Sequence, residues 1–267
     1  MARPVTPILS SFACCRRAVW ATATGVAMGP LADALAAPAG RELLMVTAAL
    51  EPFVLPPQHP LGEGMDIDLA REALALGGGY RLRVEHVPWR RVLALLKAGQ
   101  ADLSTGVHDT PERREYLAFS QRYGESVRYG FYTRRDSGVL VRRLADLQGR
   151  RLGLMAGAVF PDALQAAMTG PADRAVDLHS QLRMLAAGRV EVVVGNELPA
   201  RWLVQHQPYG AQLQRQPFVF DSGLPTQMAV ARQRPDFPAV VQALNRGLAQ
   251  LAKAKRWEAL QARYLGA

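Results

Sequence analysis

The sequence has little cysteine and no long hydrophobic run. Its two cysteines, Cys14 and Cys15, and its 7% aromatic content exclude a small domain held together by disulfides. No stretch has the roughly 18–20 uninterrupted apolar residues of a membrane-spanning helix. What is present is typical of a globular protein: 49% of the 267 residues are hydrophobic and 21% are charged. This length suits one large domain or two lobes of about 100 residues each.

Several motifs that carry known chemistry are also missing. No glycine-rich loop ends in Lys-Ser or Lys-Thr, no G-x-G-x-x-G follows a predicted strand, and no G-x-S-x-G occurs. The five histidines never fall four residues apart, and the cysteines are not placed to help them bind a metal. The residues alone therefore predict no catalytic constellation, no metal site and no cofactor.

Basic residues outnumber acidic ones by 32 to 23, which gives a net charge of +9 and raises nucleic acid as a partner. The arginines, however, occur in separate pairs with acidic and apolar residues between them. A nucleic-acid interface would place them on one face among aromatic residues. We interpret most of them as solvated surface and expect no nucleic-acid partner. The pairs are Arg90-Arg91, Arg113-Arg114, Arg134-Arg135, Arg142-Arg143 and Arg150-Arg151.

Residues 1–37 have the pattern of a secretory signal peptide. Arg16 and Arg17 form the positive region, residues 18–31 a short apolar region, and residues 34–36 an A-x-A cleavage signal. General secretion fits better than the twin-arginine route, because the residues that flank Arg16 and Arg17 match a twin-arginine signal poorly. Removal of residues 1–36 takes both cysteines and leaves 29 basic and 22 acidic residues, a net charge of +7. We expect a bacterial periplasmic location.

Strand and helix patterns alternate along the remaining chain, which predicts α/β units with mostly parallel sheets. Thr110 and Pro111 predict a helix start, with threonine as the N-cap and proline at the first helical position. Predicted strands lie at 43–47, 81–87, 101–103, 151–155, 190–194 and 228–231, and the segment 119–132 is rich in strand residues. Predicted helices begin at 65 and lie at 89–97, 140–147, 162–168, 179–187, 198–205, 237–252 and 255–264.

An ordered series of short motifs resembles the extracellular solute-binding protein family 3, the periplasmic receptors of polar amino-acid importers. The match covers essentially all of residues 43–267, and short pieces in the right order and spacing carry it. They are G-M-D-I-D-L at 64–69, P-W at 88–89, G-Q-A-D at 99–102, T-P-E-R at 110–113, F-S at 119–120 with Tyr123, L-A-D-L-Q-G followed by R-L-G at 144–153, and A-G-R-V-E at 187–191.

The resemblance implies a type II periplasmic-binding-protein fold, in which two α/β lobes enclose the ligand between them. By this resemblance, lobe one comprises residues 41–125 plus 225–267 and lobe two residues 128–222. Two hinge crossings are expected near 124–127 and 221–224. Closure is then a hinge motion that the ligand favours by binding the closed form more tightly.

Arg113 is the main candidate for holding a ligand. A guanidinium at a helix start can clamp a carboxylate through two parallel hydrogen bonds, in a place where the backbone already favours an anion. The resemblance implies that Arg113 holds the α-carboxylate of the ligand. Spacing alone favours a solvated arginine paired with Glu112 or Glu115, and the resemblance is what favours the ligand role.

Further first-lobe contacts are implied by the same resemblance. Trp89 matches an aromatic wall that packs against the ligand, although it could equally be an ordinary core residue. Thr105, Gly106 and His108 lie in the loop that offers polar contacts. His108 stands where the family often has a small hydroxyl residue, so it narrows the pocket, and it could donate to a carboxylate or respond to pH.

The second lobe departs from the family pattern. Ala158 and Val159 replace hydroxyl residues that touch the carboxylate, which leaves only backbone N–H groups. The acid expected to pair with the α-ammonium is replaced by Asn196, with Glu197 beside it. Asparagine cannot neutralise a buried cation, and an unpaired buried charge is costly.

In the first lobe, Leu50 stands where the family often has a second aromatic residue, and Thr47 where it often has an acid. The ligand is therefore either an amino acid whose amine meets Glu197 or Glu51, or a carboxylate without that amine.

Three functions are compatible with this pattern. The first is a monomeric periplasmic receptor that passes a small amino acid or related carboxylate to the membrane permease of an ABC importer. The second is an enzyme of the cyclohexadienyl dehydratase type, in which Glu197 or Glu51 would protonate a leaving hydroxyl group. The third is a sensor that reports the ligand to a separate membrane signalling protein. The residues favour the receptor.

Overall fold

The computed structural model describes residues 40–266, and the predicted signal peptide lies outside this range. Two five-stranded sheets organise these residues. Within the described range, no helix combines the length and the apolar character needed to cross a membrane.

The first sheet has the strand order β2-β1-β3-β10-β4. Strand β1 (Glu42–Thr47), the second in this order, is buried on both faces, because Met45 packs in one apolar cluster and Val46 in another. This two-sided burial explains why the strand reads as a continuous apolar run. The strands are β1 (Glu42–Thr47), β2 (Arg81–His86), β3 (Leu103–Ser104), β4 (Leu117–Phe119) and β10 (Ala229–Ala231). The helices of this half are α1 (Met65–Gly78), α2 (Trp89–Lys97), α3 (Pro111–Arg114), α7 (Phe237–Lys253) and α8 (Arg256–Leu265).

The second sheet has the strand order β7-β6-β8-β5-β9. Helices cover it on both faces, with Leu164 packed in one apolar cluster and Leu182 and Leu203 in another. The strands are β5 (Arg128–Arg134), β6 (Leu152–Met155), β7 (Ala172–Ala175), β8 (Val192–Asn196) and β9 (Leu213–Asp221). The helices are α4 (Asp162–Ala167), α5 (Leu178–Ala186) and α6 (Glu197–His206).

The chain passes between the two sheets twice, from β4 to β5 and back from β9 to β10. The two connecting segments lie side by side, since the Val127 amide donates to the Leu224 carbonyl at 2.9 Å and the Tyr123 amide to the Thr226 carbonyl at 3.1 Å. Ser126 Oγ adds a bond to Asp221 Oδ2 at 2.8 Å. Paired extended segments of this kind can bend together as a hinge.

The predicted α/β fold is confirmed, but the expectation of mostly parallel sheets is wrong. Among the described strands, four pairings are parallel and four are antiparallel. The antiparallel pairs are those of β5 and β10, the strands that follow the two crossings. Each of these strands begins beside a crossing segment and opposite the carboxyl end of a neighbour, with Tyr129 facing Asn196 of β8 and Ala229 facing Ser104 of β3, so it runs against that neighbour.

Local predictions were wrong at three places. The helix predicted at 140–147 is a 3₁₀ turn at Leu144–Leu147 only, because Val141 is bonded to the β9 segment through Gln216 and Phe218. Strand β7 was not predicted. Strand β9 was also missed, and it contains Pro217, which is tolerated because β9 lies at the edge of its sheet.

Helices α1 and α7 approach so closely that two glycines are required at their contact. A Cβ atom on Gly77 would lie 1.8 Å from the Ala243 carbonyl oxygen, and one on Gly247 would lie 2.0 Å from the Ala73 carbonyl oxygen. Arg246 closes the contact by donating from Nε and Nη2 to the Gly77 carbonyl at 3.0 and 2.6 Å. Backbone-to-backbone packing therefore anchors the C-terminal helices to the first half of the molecule.

We expect Gly247→Ala to lower the free energy of unfolding by about 1–3 kcal/mol, as overpacking does. Helix propensity alone would raise it by up to about 1 kcal/mol, so the sign of the change discriminates between the two effects. Urea denaturation measures it. Gly124→Ala is the matched control, since its Cβ would meet ordinary contacts at 3.4–3.5 Å. A stabilised Gly247→Ala variant would contradict the close packing.

Candidate functional site

A cleft lies between the two sheets and encloses about 770 Å³ of open space, including its mouth. Loops that follow β1, β3, β6 and β8 form its walls, together with the first turn of α2. The carboxyl ends of parallel strands are the usual place for a ligand in an α/β sheet. Here two sheets present such ends to each other.

Most of the predicted site residues lie on this cleft. The residues from the prediction that line it are Leu50, Trp89, Thr105, Gly106, His108, Arg113, Ala158, Val159 and Asn196. Glu197 lines an adjoining pocket instead. Glu51 lines neither of the two.

Arg113 is buried, with 4% of its surface exposed. Thr110 caps the short helix α3 by accepting from the Arg113 amide at 3.3 Å, as predicted. The guanidinium donates from Nη1 to the His108 carbonyl at 3.0 Å and lies 5.9 Å from the centre of the Trp89 ring. Within residues 40–266, no carboxylate oxygen lies within 4 Å of it, so neither Glu112 nor Glu115 is its partner.

Burial lowers the pKa of the Arg113 guanidinium from its usual value, because the surrounding protein solvates the charge less well than water does. The group stays cationic, since an arginine pKa begins far above neutrality. A buried cation without a carboxylate partner is costly, and an anion in the cleft would offset that cost. Helix α3 has a single turn, so the guanidinium provides most of the attraction for an anion.

Contacts cross the cleft between the two halves. Trp89 Nε1 donates to the Gly157 carbonyl at 3.3 Å, and the His108 ring meets the Tyr129 ring edge-on at 6.4 Å between centres. Trp89 and His108 belong to the half with the first sheet, whereas Gly157 and Tyr129 belong to the half with the second. The described arrangement is thus one in which the halves touch.

His108 is neutral in this setting. Burial and the nearby Arg113 charge lower the pKa of His108 from 6.5 to about 4, and contact with the Val159 backbone offsets only part of the shift. His108 therefore adds a polar ring to the cleft but no charge near neutral pH.

The adjoining pocket, of about 710 Å³ including its mouth, lies beside the hinge segments and shares Leu50, Gly106, His108 and Asn196 with the cleft. Phe53 and Trp257 line it with parallel rings 6.2 Å apart. Asp66 is buried there and its Oδ1 has no hydrogen-bond partner. Burial raises the pKa of the Asp66 carboxyl to about 7, and the nearby Tyr123 and Thr105 hydroxyls offset part of that effect.

Both acids proposed from the sequence are engaged by other side chains. Glu197 Oε1 accepts from Arg215 Nη1 at 2.8 Å, and Arg201 and Arg128 lie 3.7 and 3.9 Å from its carboxylate. Glu51 Oε1 lies 3.6 Å from His179 Nε2, whose Nδ1 is 3.0 Å from the Tyr209 hydroxyl.

Sequence reasoning missed Tyr129, Phe160 and Gln181 on the cleft and Asp66 in the adjoining pocket. Asp66 lies inside the G-M-D-I-D-L motif, between two buried apolar residues, Met65 and Ile67. That position is the one local signal that its carboxylate is not solvated. The other three carry no local signal, because distant parts of the chain bring them to the cleft.

A family model for bacterial extracellular solute-binding proteins, family 3, matches residues 44–267. The chain belongs to this family. The resemblance inferred from the ordered motifs is therefore confirmed.

Similar proteins include several amino-acid binders. The arginine-binding extracellular protein ArtP of Bacillus subtilis (strain 168) is 32% identical over 124 residues, which is 45% of this chain and 46% of that protein, so the match spans less than half of the relative. An ancestral arginine-binding protein bound to glutamine has a TM-score of 0.72 at 22% identity, covering 85% of this chain and 98% of that one.

An ancestral amino-acid-binding protein described as a precursor of cyclohexadienyl dehydratase has a TM-score of 0.69 at 19% identity, covering 84% of this chain and 95% of that one. At such identities these structures show the fold alone. They confirm the type II periplasmic-binding-protein fold, on which both binding proteins and an enzyme lineage occur.

Acid should destabilise the protein partly through His108. Between about pH 6.5 and 4 the unfolded chain protonates this histidine while the folded protein keeps it neutral, so stability falls as the pH falls. Between pH 7.5 and 4.5, we expect the free energy of unfolding to fall by up to about 3 kcal/mol less in His108→Gln than in the wild type. Urea denaturation at the two pH values measures this difference.

His86→Gln is the control, since the His86 ring bonds to the Leu55 carbonyl away from the cleft. The two variants should differ in acid sensitivity. If wild type and His108→Gln lost the same amount of stability, the burial of His108 would not contribute to the loss of stability in acid.

Proposed function

We propose that this protein is a periplasmic receptor that encloses a small amino acid or related carboxylate between two lobes and delivers it to the permease of an ABC importer. The observation that carries the proposal is the buried Arg113 guanidinium, which faces the cleft and has no carboxylate within 4 Å in residues 40–266. A ligand carboxylate would complete this site through two parallel hydrogen bonds.

The lobe assignment follows the two sheets, with residues 41–125 plus 225–267 as lobe one and 128–222 as lobe two. The paired segments near 124–127 and 221–224 would act as the hinge. Support comes from the contacts that cross the cleft, such as the Trp89 bond to the Gly157 carbonyl. A ligand held by both halves favours the closed form because it binds that form more tightly.

The family supports export, and the N-terminal pattern at 1–37 supports a cleaved signal peptide. Cell fractionation and N-terminal sequencing of the mature protein test both. Charge pairing supports the expectation of no nucleic-acid partner, because several of the arginine pairs contain a residue bonded to an acid. These bonds join Arg114 to Asp109, Arg134 to Asp136, Arg143 to Asp146, Arg150 to Glu191 and Arg151 to Asp173.

The dehydratase alternative is less well supported. A general acid must reach the leaving hydroxyl, and the two candidate acids are engaged elsewhere: Glu197 by Arg215 and Glu51 by His179. The sensor alternative uses the same cleft and requires a separate membrane partner, so ligand binding does not distinguish it from the receptor. Measuring the uptake of labelled ligand in cells that lack the protein distinguishes the receptor from the sensor.

We expect Arg113→Gln to lower ligand affinity by at least about 30-fold, because it removes the charged partner of the carboxylate. A thermal-shift screen of the purified protein against amino acids, their deaminated analogues, aromatic carboxylates and polyamines identifies the ligand, and calorimetry then measures the affinity.

Arg114→Gln is the matched control. Arg114 is the exposed neighbour, bonded to both oxygens of Asp109 at 2.6 and 2.8 Å, and its loss should leave affinity unchanged. Equal affinity in wild type and Arg113→Gln, or thermal shifts with polyamines alone, would contradict carboxylate recognition by Arg113.

A further inference from the structure

We propose that the cleft selects carboxylates with an apolar body and no α-ammonium group, and rejects the amino acids of the same shape. This inference rests on the proposed function, since it takes Arg113 as the carboxylate partner. It answers the question that the sequence left open, namely whether an acid elsewhere in the site receives the α-amine that Asn196 cannot neutralise.

The walls of the cleft are largely apolar. Trp89 and Tyr129 line it from opposite halves of the molecule, together with aliphatic side chains. An apolar ligand body gains free energy by leaving water for such walls. The apolar and aromatic residues that carry this argument are Leu50, Trp89, Tyr129, Met155, Phe160 and Leu178.

Charge on the cleft has one sign. Among the described residues that line it, Arg113 is the charged side chain, and no aspartate or glutamate is present. His108 is neutral near pH 7. Asn196, at the end of β8, lines the cleft with a neutral amide, at the position where the resemblance implies a carboxylate for an α-ammonium. A monoanion therefore matches this lining, whereas a zwitterion brings a second charge that nothing there neutralises.

Glu197 is not available to take that charge. Its side chain is 4% exposed, and three arginine side chains lie within 4 Å of its carboxylate. Glu125, 3.8 Å from Arg128 Nη2, offsets one of these three cations, so positive charge remains in excess around Glu197. An ammonium that approached Glu197 would be repelled by the same arginines that hold it.

Glu51 is not available either. Its carboxylate is directed to His179, across the contact between the two halves, and it does not line the cleft. Tyr209 bonds to the other nitrogen of that ring, so His179 is oriented toward Glu51. Using Glu51 for a ligand amine would break this contact between the halves.

Two further acids line the adjoining pocket. Glu125 is exposed and lies 3.8 Å from Arg128 Nη2, whereas Asp66 is buried and is the strongest rival explanation. It lies in the adjoining pocket, behind residues that both pockets share, and its Oδ1 has no hydrogen-bond partner. A long amino acid would reach Asp66 with an amine at its far end. Its α-ammonium, in contrast, would stay next to the carboxylate bound by Arg113. The test therefore includes Asp66.

The test measures calorimetric affinities for two matched pairs of probes: 3-phenylpropionate with L-phenylalanine, and 4-methylpentanoate with L-leucine. We expect at least one of the two amine-free acids to bind, and its amino-acid partner to bind about 100-fold more weakly or not at all. Equal binding within a pair, stronger binding of the amino acid, or no binding of either acid would overturn the proposal.

Variants at position 196 give the decisive comparison. Asn196→Asp supplies the missing carboxylate, so we expect it to gain affinity for the amino acid and lose affinity for the amine-free acid. Asn196→Ser, the neutral control, should keep the preference for the acid. If Asn196→Asp kept the preference for the amine-free acid over the amino acid, the proposal would be overturned, because residue 196 would then not contact the amine.

Two further arms separate the causes of failure. If amino acids bind and Asp66→Asn abolishes their binding, Asp66 is the amine partner and the selectivity proposal is wrong. If amino acids bind best and Arg113→Gln abolishes that binding, the receptor function stands and only the selectivity proposal fails. If Arg113→Gln leaves the affinity for every probe unchanged, the assignment of Arg113 as the carboxylate partner is wrong.

Discussion

A guanidinium buried without a carboxylate partner is the constraint on which the candidate site depends. Near the charge of Arg113 lie the His108 carbonyl, the Trp89 ring and the Tyr116 side chain, and none of them is a carboxylate. Water solvates a cation far better than these groups do, so the fold carries an electrostatic cost at this point. Such a cost is recovered when an anion enters, which is how a binding protein can couple ligand entry to closure of the cleft.

The rest of the fold keeps that cation in place. Each sheet is covered by helices on both faces, so the loops at its strand ends are attached to a rigid framework. The glycine contact between α1 and α7 fixes the C-terminal helices against the first sheet with backbone touching backbone. The two crossing segments, which are hydrogen-bonded to each other, are where the chain connects the halves.

The fold could be predicted in large part from the sequence because its signals are local. The N-cap at Thr110 and most helices and parallel strands were found from patterns within a few residues of each other. Strand β9 was not, since its apolar pattern is irregular and it contains Pro217. Residues 140–143 have helical spacing, yet they pair with β9, and that pairing exists only once distant segments meet.

For the site, the sequence shows which chemical groups are present. It places an arginine after Thr-Pro-Glu, an asparagine where an acid was expected, and alanine and valine where hydroxyls were expected. Which charges are available to a ligand follows from the folded structure. Glu197 is held by arginines from β5, α6 and β9, and Glu51 by a histidine from the other half of the molecule. The physical reason is that the availability of a carboxylate depends on its neighbours in space, and sequence spacing does not record neighbours that the fold brings together.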